Sequence, residues 1–67
     1  MVWFFDRRGE RLRYEIRHGG TGAAYEIAIT YPDGRTQTEQ IHDAADLLHR
    51  CAELARALKD QGWQAER

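Results

Sequence analysis

Two stretches of strict two-residue alternation constrain this chain more than anything else in it. From Glu10 to His18, Leu12, Tyr14 and Ile16 fall on one side, while Arg11, Arg13, Glu15 and Arg17 fall on the other. From Ala23 to Tyr31 the pattern repeats, with Tyr25, Ile27, Ile29 and Tyr31 set against Ala24, Glu26, Ala28 and Thr30. A period of two is the signature of a strand with one buried face, because successive side chains point to opposite sides of a sheet. Gly19-Gly20-Thr21-Gly22 separates the two stretches and breaks the chain between them.

Flanking segments extend the sheet. Val2 to Phe5 is aromatic and β-prone, and Asp6-Arg7-Arg8-Gly9-Glu10 after it reads as a type I turn with Gly9 in the left-handed position of a bulge. Tyr31-Pro32-Asp33-Gly34-Arg35 is the strongest turn signal: Pro presets φ, Asp caps the turn and Gly accepts positive φ. The fourth segment, Arg35 to Ile41, carries Thr36 and Thr38 and is polar on both faces, which suits an edge strand.

Beyond it the period changes to that of a helix. Asp43 is a good N-cap with Asp46 three residues on. Ala44, Leu47, Leu48, Cys51, Leu54, Ala55 and Leu58 form one broad apolar stripe. Gly62 is placed to end the helix, with Trp63 folding back on Leu58 as in a Schellman motif. The expected fold is α+β: a four-stranded antiparallel meander (about 2–6, 10–18, 23–31 and 35–41) and one amphipathic helix (about 44–61) packed on one face, ββββα, with 64–67 a frayed tail.

A chain of 67 residues is one domain, 1–67, and its core is marginal by size. Cys51 is the only cysteine, which excludes an intrachain disulfide and a cysteine-based zinc site and fits a reducing, cytoplasmic setting. The apolar opening stops at Asp6, too short for a signal peptide or membrane span. Net charge is −1, so no global field draws the chain to nucleic acid or membrane. Locally, five arginines stand against two glutamates between residues 7 and 17. Lys59 is the sole lysine, a bias that a GC-rich genome explains.

If Asp6 pairs with Glu10, then Val2, Phe4, Leu12 and Tyr14 face the helix and Trp3 and Phe5 face outward, opposite Arg13 and Arg11. In the middle hairpin, a Glu15–Glu26 pair is disfavoured by like charge, so a register offset from it is expected. The outer face then gathers Trp3, Phe5, Arg11, Arg13, Arg17, Ala24 and Ala28. Three readings compete for that face. Arginine stems and the C-terminal tail cover the aromatics. Alternatively, the face or the polar edge strand is a protein interface, most simply of a homodimer, since aromatics and Arg are enriched in interface cores. In the third reading, single-stranded DNA or RNA stacks on Trp3 and Phe5 while Arg11, Arg13 and Arg17 track phosphates.

The order of four strands and a helix resembles the single-stranded-DNA-binding domain of the transcriptional positive cofactor four family. That resemblance of topology implies dimers and a nucleic-acid-binding β-surface, and carries no residue roles. Trp3-Phe4-Phe5, Tyr31-Pro32-Asp33-Gly34 and Gly62-Trp63 look like motifs of a group of small uncharacterised bacterial proteins, which implies a bacterial source and no activity.

Catalytic, metal and cofactor chemistry find no assembled residues. Cys51 and His49 are two apart on a helix, so they point about 200° apart, and Cys51 reads as an inert core thiol. Asp46, His49 and Glu53 share a helix face but read as a solvated charged surface, with Asp46–Arg50 and Arg56–Asp60 as ordinary i,i+4 pairs. The glycine loop joins two strands and opens no helix, so it is no phosphate cradle. No small-molecule substrate suggests itself. The sequence therefore points to a non-enzymatic interaction module, self-associating through the outer face or edge strand, with single-stranded nucleic-acid binding as the alternative.

Overall fold

The computed structural model describes residues 1–20 and 22–66. Five strands and one helix follow in the order β1 (Val2–Arg7), β2 (Glu10–His18), β3 (Tyr25–Thr30), β4 (Thr36–Ile41), α1 (Ala44–Asp60) and β5 (Gln64–Ala65). The sheet is antiparallel, in the spatial order β4-β3-β2-β1-β5. The α+β meander with a C-terminal helix is as the alternation and the helical stripe require.

The β1–β2 register is one residue away from the expected one. Arg7 pairs with Glu10, which leaves a two-residue loop and sets Phe5 opposite Leu12 and Trp3 opposite Tyr14. Arg8 and Gly9 both take positive φ, 51° and 80°, the geometry of a type I′ turn. A one-residue slip turns every side chain of a strand over. Trp3 and Phe5 therefore face the helix side, and Val2 and Phe4 face outward. Left-handed φ at a non-glycine residue costs roughly 1 kcal/mol. Aromatic packing offsets it: the Trp3 and Phe5 rings meet the Tyr14 ring edge-on at centroid distances of 5.7 and 6.1 Å.

The middle hairpin avoids a Glu–Glu pair as expected. Glu15 sits opposite Ala28 and Arg17 opposite Glu26. At the third turn Gly34 has φ of 91°, and the Asp33 carboxylate accepts the Arg35 backbone N–H at 3.0 Å.

Both helix caps are as read from the sequence. Asp43 accepts the Asp46 N–H at 2.8 Å. Gly62 has φ of 93°, its N–H bonds the Lys59 carbonyl, and the Trp63 N–H bonds the Leu58 carbonyl at 3.0 Å, the full Schellman pattern. Trp63 is thereby folded into the core with Leu12, Tyr14, Ile27, Ile29, Ile41, Leu54 and Leu58. Residues 64–66 are not a frayed tail. Gln64–Ala65 pair with Asp6 and Phe5, and the Glu66 N–H bonds the Phe4 carbonyl, because the Trp63 anchor delivers the chain to the β1 edge. Arg67 lies outside the described residues.

Candidate functional site

The two faces of the sheet are built differently. On the outer face Arg11, Arg13 and Arg17 stand where the alternation put them, but each has acidic company. Arg11 lies 3.1 Å from Asp6 and 3.3 Å from Glu66. Arg13 lies 3.5 Å from Glu15. Arg17 bridges Glu15 and Glu26. The Gln40 amide donates to Glu26 at 2.7 Å. The Arg17 guanidinium, helped by Gln40, holds the Glu26 carboxyl below its ordinary value. Ala28 lies on this face, only 5 % exposed among those long side chains. Ala24 sits in the bend before β3, exposed and outside the strand. Phe4 occupies the place expected for an aromatic, under the Arg11 guanidinium at 5.2 Å.

The helix side is apolar and only partly roofed. Arg50 Nε of α1 binds both carboxylate oxygens of Glu39 in β4 at 2.8 and 3.0 Å. That pairing replaces the Asp46–Arg50 pair expected within the helix. Along α1, Leu54 and Leu58 are buried and Leu47 and Cys51 half-buried. Leu48 remains 73 % exposed, and Ala44 and Ala55 are exposed too. The stripe seen in the sequence is therefore only half used by the sheet beneath it.

What remains is a trench between α1 and β1. Its floor is Tyr14 and Ile16, one wall is Trp3 and Phe5, and the other is Cys51 and Ala55. It encloses about 190 Å³, and its lining is almost without polar surface. A second hollow of about 620 Å³ shares Phe5 and Ala55 and is lined further by Lys59, Trp63, Gln64, Ala65 and Glu66. A third, of about 360 Å³, shares Ile16 and is lined by Met1 and Tyr25 together with Glu15, Arg17 and His18. Arg7 stacks on Trp63 at 4.3 Å and donates to the Gln61 carbonyl at 2.9 Å, clamping the end of α1 to β1. Exposed Met1, at 77 %, and Trp3, at 41 %, extend the apolar surface.

One buried polar atom lies beside the trench. The Tyr14 hydroxyl is sealed from solvent and has no well-aligned hydrogen-bond partner among the described residues. Burial, with the neighbouring Cys51 thiol, pushes the Tyr14 phenol well above its ordinary value. Cys51 borders the trench, whereas His49 is turned away and lies 3.7 Å from Glu53. Among the described residues no three His, Cys, Asp or Glu side chains gather to hold a metal. No helix there is long and apolar enough to cross a membrane.

The seven residues singled out in the sequence thus do not share one surface. Arg11, Arg13, Arg17 and Ala28 lie on the outer face, Trp3 and Phe5 lie on the helix side, and Ala24 lies in a loop. The trench, with Cys51 and Ala55 on its helix wall, was missed. One sequence signal pointed to it: pairing Trp3 with Tyr14 and Phe5 with Leu12 matches large apolar residues across the hairpin. No protein-family model, curated protein or solved structure matches the chain. The two resemblances therefore rest on topology and short motifs.

Proposed function

We propose that the chain is a small non-enzymatic interaction module that docks the apolar side of another protein segment into the α1–β1 trench. The observation that carries this is the half-used helix stripe: Ala55 stands exposed across the apolar trench from Trp3 and Phe5, and Leu48 of the same stripe is left exposed as well. A chain this small gains from burying such surface, at about 25 cal/mol per Å². The groove is open along its length, whereas small-molecule sites bury about 70–90 % of their ligand. A protein segment with side chains at i, i+3 and i+4 fits an open groove between a helix and a strand.

Self-association through the outer face and nucleic-acid binding there draw less support. The arginines of that face are matched by Asp6, Glu15, Glu26 and Glu66. Of the aromatics, Trp3 and Phe5 are on the other side of the sheet, and Phe4, which takes their place outside, is stacked under the Arg11 guanidinium.

Photo-crosslinking tests the trench. Benzoylphenylalanine is placed at Leu48 or at Ala55, and at Arg56 as a control, in the cells that make the protein. The expected result is one common adduct from positions 48 and 55, absent from 56 and lost when Trp3→Glu is added. Unrelated adducts from all three positions would overturn the reading.

A further inference from the structure

The two edges of the sheet differ as much as its faces. The β1 edge is capped, by β5 and by the Glu66 N–H on the Phe4 carbonyl. The β4 edge carries no strand. Natural proteins guard such an edge with Lys, Pro, a bulge or an unpaired inward charge. β4 reads Thr36-Gln37-Thr38-Glu39-Gln40-Ile41, with no Lys, no Pro and an unbroken register against β3. Its one charge, Glu39, points to the helix side and is already bound by Arg50.

Backbone alternation fixes which groups are free. The Tyr31 N–H bonds the Arg35 carbonyl at 2.8 Å. Counting on from that pair, Gln37, Glu39 and Ile41 turn their N–H and C=O groups toward β3. Thr36, Thr38 and Gln40 turn theirs outward.

We propose that β4 pairs antiparallel with β4 of a second copy across a two-fold axis at Thr38. This register sets Thr36 opposite Gln40 of the second copy and Thr38 opposite its own mate, so every outward group is used, in about six backbone bonds. An axis at Gln37 leaves Gln40 unpaired. An axis at Glu39 sets two glutamates face to face, which is unfavourable. At Thr38, each Glu39 instead meets a Gln37 amide of the mate.

A second copy is the fitting occupant because the strand is complementary to itself and the opposite edge is capped. Pairing therefore stops at two chains. A strand edge hides less than the roughly 800 Å² per partner of a standard interface, so the dimer is weak and depends on concentration. This inference is independent of the trench.

Sedimentation velocity and amide exchange on the full 67-residue chain test it. The mass is expected to climb from 7.8 kDa toward twice that as concentration rises. The Thr36, Thr38 and Gln40 amides are expected to slow by roughly tenfold or more between dilute and concentrated samples. Gln37 and Glu39 are expected to be protected in both. Thr38→Pro removes only an outward N–H and is expected to hold the chain monomeric; Thr38→Lys, which leaves the backbone alone, does the same if the proline variant fails to fold. A mass fixed at 7.8 kDa up to millimolar concentration would overturn the proposal. So would a dimer that survives the Thr38 variants and dissociates with Leu48→Glu.

Discussion

The outer face and the helix-side face share the same strands residue for residue, yet one is dominated by ion pairs, with Val2 and Phe4 exposed among them, and the other is apolar. The outer face is a lattice of Arg11, Arg13 and Arg17 interleaved with Asp6, Glu15, Glu26 and Glu66, and its charges answer one another. The helix-side face is apolar, and α1 covers its β2–β3 centre, where Leu12, Ile27 and Ile29 are fully buried, leaving Trp3 and Phe5 beside an open groove. The difference teaches where recognition resides. A surplus of arginine in a segment of sequence is no charged surface once strands bring carboxylates alongside. Exposed ion pairs contribute little each, typically under about 1 kcal/mol. Apolar area left uncovered is the larger unspent quantity.

The sharpest way to break the comparison is to hollow the covered part of the helix side. Leu12 is fully buried there. Leu12→Ala is expected to cost about 2–5 kcal/mol, against a total of roughly 3–10 kcal/mol for a chain of this length. Urea unfolding followed by circular dichroism measures it, and a loss under about 1 kcal/mol would mean the core lies elsewhere.

A smaller effect of opposite sign comes from Tyr14. Its hydroxyl is buried without a well-aligned partner among the described residues, so Tyr14→Phe is expected to leave stability unchanged or raise it by about 1 kcal/mol. The phenol is raised in the folded chain, so its contribution is whole below the unfolded value of about 10. It is lost as pH rises through the folded value. Alkaline unfolding is therefore expected to shift to higher pH in Tyr14→Phe. A marked loss of stability in the variant would show that the hydroxyl has a partner.

The smallest effect belongs to the outer face. Arg17 lowers the Glu26 carboxyl, and the Arg35 backbone N–H and side chain lower that of Asp33. Groups lowered on folding contribute above their unfolded values, about 4.3 and 3.9, and lose that contribution as pH falls through the lower folded ones. Melting temperature is expected to dip slightly between pH 5 and pH 3, and Arg17→Gln is expected to shrink the dip. An identical dip in the variant would remove Glu26–Arg17 from the account.

What the sequence disclosed was local. Alternation marked β2 and β3, Pro32-Asp33-Gly34 marked the third turn, and Asp43 and Gly62 marked the ends of α1, each through contacts within a few residues. The β1 register was different in kind. Asp6-Arg7-Arg8-Gly9-Glu10 admits a type I turn with a bulge or a two-residue type I′ loop, and local preference favours the first because Arg8 is no glycine. The decision came from Trp3 and Phe5 against Tyr14, and from Arg7 over Trp63, contacts up to 56 residues apart in the chain. β5 is two residues long and has no period to read. The helix stripe was legible, but which half of it the sheet covers depends on contacts across the fold, that of Arg50 in α1 with Glu39 in β4 among them.

The most direct test of the two-faced sheet is the cross-strand Hα–Hα Overhauser pattern between β1 and β2. The account expects strong effects between Phe4 and Arg13 and between Asp6 and Arg11, which place Trp3 and Phe5 on the trench side. An effect between Phe4 and Leu12 instead would turn the aromatics outward among the arginines and contradict it.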